Sequence, residues 1–209
     1  THDHGFLNDM KAATGQSDEA IRLLEEALRD KPDFAEARVN LGQILARQGH
    51  LAEAQAQYET VLRYRSNSPA AHINLGQVLL QQGKTAPAES HYREAVRLAP
   101  DNAIAHYNLA NLLSDRKDPE ADRHYQEAVR LDPDFAEARV NWGLALVERG
   151  QTAAALEQFR EAVHLKPDFV LARLNLGVAL ARQQRFEEAI EQFKQTLRLD
   201  PANQSAQQF

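Results

Sequence analysis

The sequence predicts an all-α solenoid of stacked helix pairs, on three observations. Pro-Asp-Phe at 32–34 returns at 133–135 and 167–169, and Asn-Leu-Gly at 40–42 returns at 74–76 and 175–177. These returns fit a period of 34 residues, with units at 1–34, 35–68, 69–102, 103–135 (one residue short), 136–169 and 170–203, and 204–209 opening another. Within each unit apolar residues recur twice at helical spacing, and arrays of this period stack into solenoids that bind along an extended concave surface.

The elements follow in chain order. In the first unit Asn8 and Lys11 stand at phases that are small or apolar in later units, so its first helix is degraded. In residues 35–48, Leu41, Ile44 and Leu45 form one stripe, and in 52–64 Ala54, Tyr58, Val61 and Leu62 form a second. Gly49 lies between the stripes, and Gly15, Gly83 and Gly150 share its phase, where a helix needs a left-handed terminator. The fourth unit has Asp115-Arg116-Lys117-Asp118-Pro119 there instead, with Asp118 expected as N-cap and Pro119 in the first helical position. Asp33 with Glu36, and Asp134 with Glu137, have capping-box spacing after prolines that stop the preceding helix. The expectation is twelve short antiparallel helices, two per repeat.

Small residues suggest where the helices of a pair cross. Gly42, Gly76, Ala110, Gly143 and Gly177 lie on the first helix, and Ala54, Ala88, Ala121, Ala155 and Ala189 on the second. The large partners are Leu41, Leu75, Leu109, Trp142 and Leu176 against Tyr58, Tyr92, Tyr125, Phe159 and Phe193. Leucine, then Gly or Ala, a later Ala, an aromatic four further on, another small residue and a closing proline resemble the tetratricopeptide repeat over nearly the whole chain. Departures are Ser66 for the closing proline, and Val61 and Thr196 for the last alanine. The resemblance implies a right-handed superhelix that binds protein.

A helical wheel on the first helix puts Arg38, Leu41 and Leu45 toward the paired helix and Glu36, Asn40, Gln43 and Arg47 on the opposite side. In a stack of pairs that side lines the concavity, as the resemblance also implies. The phase of Asn40 reads Asn74, Asn108, Asn141 and Asn175. Descent from one ancestral repeat accounts for shared residues on a solvated face. Yet the neighbouring phase drifts from Gln43 and Gln77 through Asn111 to Leu144 and Val178, and asparagine is a mediocre residue inside a helix. A primary amide both donates and accepts, so it can pair with a passing peptide backbone whatever the side chains. Helices packed about 8–10 Å apart, and an extended chain advancing about 3.3–3.6 Å per residue, put one rung at about every third residue. Such an asparagine ladder resembles that in the tetratricopeptide superhelix of the O-linked N-acetylglucosamine transferase, which holds extended polypeptide. The candidate peptide-binding residues are therefore Asn40, Asn74, Asn108, Asn141 and Asn175 with Gln43, Gln77 and Asn111, all expected to face solvent.

The rest of the groove divides. Glu36, Gln43, Arg47, Gln77 and Gln81 surround Asn40 and Asn74, whereas Leu144, Leu171 and Val178 lie near Asn141 and Asn175, which suits a ligand with polar and apolar parts. The Lys-and-Asn clamp of some tetratricopeptide cochaperones is not evident, since Val39, Ile73, Tyr107, Val140 and Leu174 precede the asparagines.

Composition removes other classes. With no cysteine there are no disulfides, thiolate metal sites or cysteine nucleophiles, and a reducing, cytoplasmic compartment is the expectation. A net charge of −6 supplies no global positive field for nucleic acid, and no apolar run approaches the roughly 18 residues of a membrane span. His2, Asp3 and His4 can be drawn as metal ligands, but a loose terminus explains them far better. His72 and His106 share a phase with Arg38, Arg139 and Arg173 and are read as packing and hydrogen-bonding residues. No nucleotide fingerprint is present, and neither catalysis, a metal nor a cofactor is expected. The partner expected is a protein or peptide in extended conformation. Two alternatives remain. The missing initiator Met and the end at Phe209 suggest an excised fragment, which fits a recognition arm of an enzyme such as a glycosyltransferase. A self-associating scaffold would pair copies through an uncapped C-terminal end that includes Phe193 and Leu197.

Overall fold

The computed structural model describes residues 3–208, with side chains over 17–208, and among the described residues every regular element is a helix. The helices are α1 (Asp3–Asp30), α2 (Ala35–Arg47), α3 (Leu51–Tyr64), α4 (Pro69–Gln81), α5 (Thr85–Leu98), α6 (Ala103–Asp115), α7 (Glu120–Leu131), α8 (Ala136–Glu148), α9 (Thr152–Leu165), α10 (Val170–Arg182), α11 (Phe186–Leu199) and α12 (Gln204–Gln207). Helices α2 to α11 form five pairs, one for each unit from 35 to 203. The first unit departs from expectation, because α1 is a single helix of 28 residues with Gly15 inside it. An interior glycine costs about 1 kcal/mol relative to alanine, which Ala12 and Ala13 beside it, with no proline nearby, allow the helix to absorb. The side chains of His2, Asp3, His4, Asn8 and Lys11 lie outside the described residues.

The chain forms two compact units, Thr1–Pro100 with α1 to α5 and Asp101–Phe209 with α6 to α12. In the first, α1 packs on α2 and α3 on α4; in the second, α7 packs on α8, α9 on α10 and α11 on α12. The pairs turn where glycine was expected, with φ of 84° at Gly49, 76° at Gly83 and 75° at Gly150. Lys117 and Gln184 occupy the same phase in the other two turns and adopt φ of 57° and 61° without being glycine.

The capping boxes do not form as expected. Phe34 and Phe135, not Asp33 and Asp134, are the N-caps of α2 and α8, and neither makes a side-chain cap. With phenylalanine at the N-cap, Glu36 and Glu137 fall at the second helical position and not the third that a capping box needs. Side-chain caps come instead from Ser68 to Ala71 N at 3.3 Å and Asn102 to Ala105 N at 3.0 Å. Helix α7 begins at Glu120 with Pro119 at its N-cap, one residue later than expected, and Asp118 ahead of it still accepts from Glu120 N through Oδ1 at 2.9 Å.

Each pair crosses where the sequence is small. A Cβ added to Gly76 would lie 2.5 Å from Tyr92 Cε1, and Gly42, Gly143 and Gly177 meet Tyr58, Phe159 and Phe193 at 2.5–2.6 Å. The rings are buried, so nothing larger than glycine fits at these four crossings. Phe193 of α11 is thus closed against Gly177 of α10, and Ala206 of α12 is buried in the same core.

A second joint holds the pairs at the phase of Arg38. Arg38 donates to Pro32 O at 2.9 Å and to Gln57 Oε1 on α3 at 2.9 Å, and Arg139 and Arg173 repeat this with Pro133 and Gln158, and with Pro167 and Gln192. The third and fourth units use histidines. His72 Nδ1 lies 2.9 Å from His91 Nδ1, and His106 Nδ1 lies 2.9 Å from His124 Nδ1. Because His72 Nε2 faces the Ser66 carbonyl at 3.2 Å, the donor must be that nitrogen, leaving Nδ1 to accept from His91. The histidines are structural, as expected.

Candidate functional site

First helices approach one another within each unit: α2 meets α4 in the first, and α6 meets α8 and α8 meets α10 in the second. Within either unit no comparable contact joins successive second helices among the described residues. The first helices therefore form the tighter face, and the groove phases lie along it.

Asn40 on α2 is exposed, Asn74 on α4 is half-buried, and Gln43 and Gln77 are exposed beside them. In the second unit Asn141 and Asn175 are half-buried, whereas Asn108 is buried at 9% exposure, contrary to the expectation that every rung faces solvent. Its Nδ2 has no hydrogen-bond partner. A wheel gives the direction of a side chain but not how closely neighbouring helices crowd it. Two rungs are also engaged. Asn141 Nδ2 donates to Tyr107 Oη at 2.8 Å and to Asn111 Oδ1 at 3.1 Å, and the same Asn111 oxygen accepts from Tyr125 Oη at 2.7 Å. Asn175 Nδ2 turns back to Leu171 O at 2.8 Å.

Two cavities occupy equivalent places, one in each unit. In the first, about 360 Å³ is lined by Gln43 and Arg47 of α2, Tyr58 of α3, and Asn74, Gln77 and Gln81 of α4. In the second, about 260 Å³ is lined by Asn111 and Asp115 of α6, Tyr125 of α7, and Asn141, Leu144 and Glu148 of α8. Five candidate residues, Gln43, Asn74, Gln77, Asn111 and Asn141, thus gather in two matching hollows. Asn40 borders a third of about 410 Å³ with Leu23, Leu24 and Ile44, and Asn108 and Asn175 line none of the three.

Tyr58 and Tyr125, expected from the sequence only as packing residues, also line these cavities from behind the first helices. The signal lay in their phase, always the partner of the crossing glycine or alanine. Burial pushes the Tyr58 hydroxyl up to about 12 despite Arg47 nearby, so it stays a donor at neutral pH. Tyr125 is raised too, first by burial and then by Tyr107. Leu144 and Leu171 are exposed, which keeps an apolar component in the second unit.

Residues 45–103, 80–134, 116–168 and 140–204 each match one tetratricopeptide repeat model, and 11–73 match another. The chain belongs to the tetratricopeptide repeat family. Solved tetratricopeptide structures agree. The chain is 25% identical to YrrB, described as a tetratricopeptide protein with an unusual peptide-binding site, covering 88% of this chain and 96% of that one at a TM-score of 0.69. It is 24% identical to MamA of Desulfovibrio magneticus RS-1, covering 82% and 98% at 0.71. Cut9 in its complex with Hcn1 is 18% identical and shares the fold at 0.79, over 93% of this chain and 39% of that one. No curated protein matches the chain. The tetratricopeptide fold is a protein-interaction scaffold, whose side chains present a surface more readily than a reactive centre. Among the described residues no helix is long and apolar enough to cross a membrane, and no three His, Asp or Glu side chains cluster to hold a metal ion.

Proposed function

We propose that this tetratricopeptide chain is a protein-interaction module in which the first helices of each unit hold extended polypeptide, with Asn74 as the principal rung of the first unit and Asn141 of the second. The observation that supports this most is the recurrence of one cavity at one phase in both units, each with an asparagine, a second-helix tyrosine and a further amide. Even after its bonds to Tyr107 and Asn111, Asn141 keeps its carbonyl oxygen, and Asn111 keeps its amide nitrogen, without a partner among the described residues. A peptide backbone offers the matching N–H and C=O. YrrB, a relative with a peptide-binding site, is consistent with that use. The ladder is then shorter than five equal rungs, since Asn108 is buried and Asn175 bonds to its own helix.

The test is recovery of bound polypeptide from a lysate by the wild type and by the Asn74→Ala, Asn141→Ala double variant, with circular dichroism as a control of folding. The variant should remain helical and lose most of the captured polypeptide. Equal recovery by both proteins would remove the asparagines from the function.

A further inference from the structure

The two equivalent cavities differ in charge and in how far their polar groups are already satisfied. In the second unit Asn111, Asn141 and Tyr125 bond to one another, and Asp115 and Glu148 add negative charge. In the first unit no acidic residue lines the cavity, and the side-chain amides of Gln43, Asn74, Gln77 and Gln81 and the Tyr58 hydroxyl make no hydrogen bond among the described residues. Arg47 has no carboxylate partner there, its one bond being a 3.4 Å contact from Nε to the Gln43 carbonyl. A guanidinium, four primary amides and a phenol thus line about 360 Å³ with every N–H and O–H donor but Arg47 Nε unused among the described residues. That donor set matches an acceptor with several lone pairs and a negative charge, and a guanidinium fork takes both oxygens of a carboxylate at once.

The geometry points to a carboxylate subsite at this cavity, in which Arg47 selects an Asp or Glu side chain of the polypeptide lying in the groove. The subsite rests on the groove reading above and adds a preference to it: a backbone-reading asparagine is indifferent to side chains, whereas Arg47 is not. The same phase carries Asp115 and Glu148 in the second unit, so that cavity repels the carboxylate that the first one accepts.

The probe is a labelled, unstructured peptide of about ten Ala, Gly, Ser and Thr residues with one central Glu, long enough to span several rungs. It is compared by fluorescence anisotropy with the same peptide carrying Gln, each with a free and an amidated C-terminus. The Glu peptide should bind the wild type about tenfold tighter than the Gln peptide, the size of one charge-assisted contact. Amidation should leave that ratio unchanged, and Arg47→Gln should abolish it while the helical signal is retained. Loss of the preference on amidation assigns the site to a chain terminus and overturns the proposal, as does a preference that survives Arg47→Gln. Equal binding of both peptides, lost in the Asn74→Ala, Asn141→Ala variant, overturns the subsite but leaves the groove reading intact. Binding of neither peptide overturns both.

Discussion

Gly76→Ala should destabilise the protein, although alanine is the better helix former by about 1 kcal/mol. The new methyl would lie 2.5 Å from Tyr92 Cε1 and 2.8 Å from Cδ1. Carbon atoms rest comfortably at about 3.5–4.0 Å, so the ring must retreat by about 1 Å. Tyr92 is 1% exposed on α5, and the ring can retreat only by leaving its rotamer or by carrying α5 away from α4. Overpacking of this kind costs about 1–3 kcal/mol, and full burial of the ring places the case toward the upper end. Subtracting the propensity gain leaves about 1–2 kcal/mol of net destabilisation, or a fall in Tm of about 2–8 °C for a chain of this size. Ala110 occupies the same phase in the fourth unit and is completely buried, so Ala110→Gly should also destabilise, through the lost methyl contacts and the added backbone freedom. Thermal unfolding followed by circular dichroism measures both. A Gly76→Ala protein that melts at or above the wild-type temperature would refute the reasoning, because propensity would then outweigh the steric conflict.

Two further outcomes follow from the turns and the histidine joints. Gln184→Gly should raise stability by up to about 1 kcal/mol, because a residue with a Cβ is held at φ 61° where glycine sits without strain; an unchanged or lower urea midpoint would contradict it. Acidification should weaken the fold through the histidine pairs. Burial holds His91 and His124 below the ordinary histidine value, with His72 and His106 adding to the depression; Glu59 opposes it at His91, Glu120 opposes it at His124, and Arg123 reinforces it there. The unfolded chain then binds more protons than the folded one, so stability is full above about pH 6.5 and declines as pH falls below that value. Melting curves between about pH 7.5 and 5.5 should show the decline, and His72→Arg with His91→Gln, which copies the arginine–glutamine joint, should reduce it. An equal decline in both proteins would place the acid sensitivity elsewhere.

The five helix pairs, their crossings and their turns were legible because each depends on local chemistry. Leu41 and Leu45 mark a helical face by spacing alone, and Gly42 announces a close approach because glycine is otherwise poor inside a helix. The continuity of α1 was not legible, since a glycine at a turn phase and a tolerated interior glycine look the same in one sequence. Nor were the histidine pairs. His72 was placed on the correct side, but its partner lies 19 residues away on the other helix and replaces a glutamine.

By itself the sequence determined the family, the repeat length and which residues share the face of the first helices, because a period of 34 and a helical turn of 3.6 together set direction. Only the tertiary structure decided which groups on that face remain available. Asn141 is bonded to Tyr107 and Asn111, Asn175 to Leu171, and Asn108 is enclosed, while the amides around Arg47 are left unpaired. Hydrogen bonds and burial turn on separations of a few tenths of an ångström between helices far apart in the chain. Those separations are set by the packing of many side chains together, and the spacing of residues along one helix does not contain them.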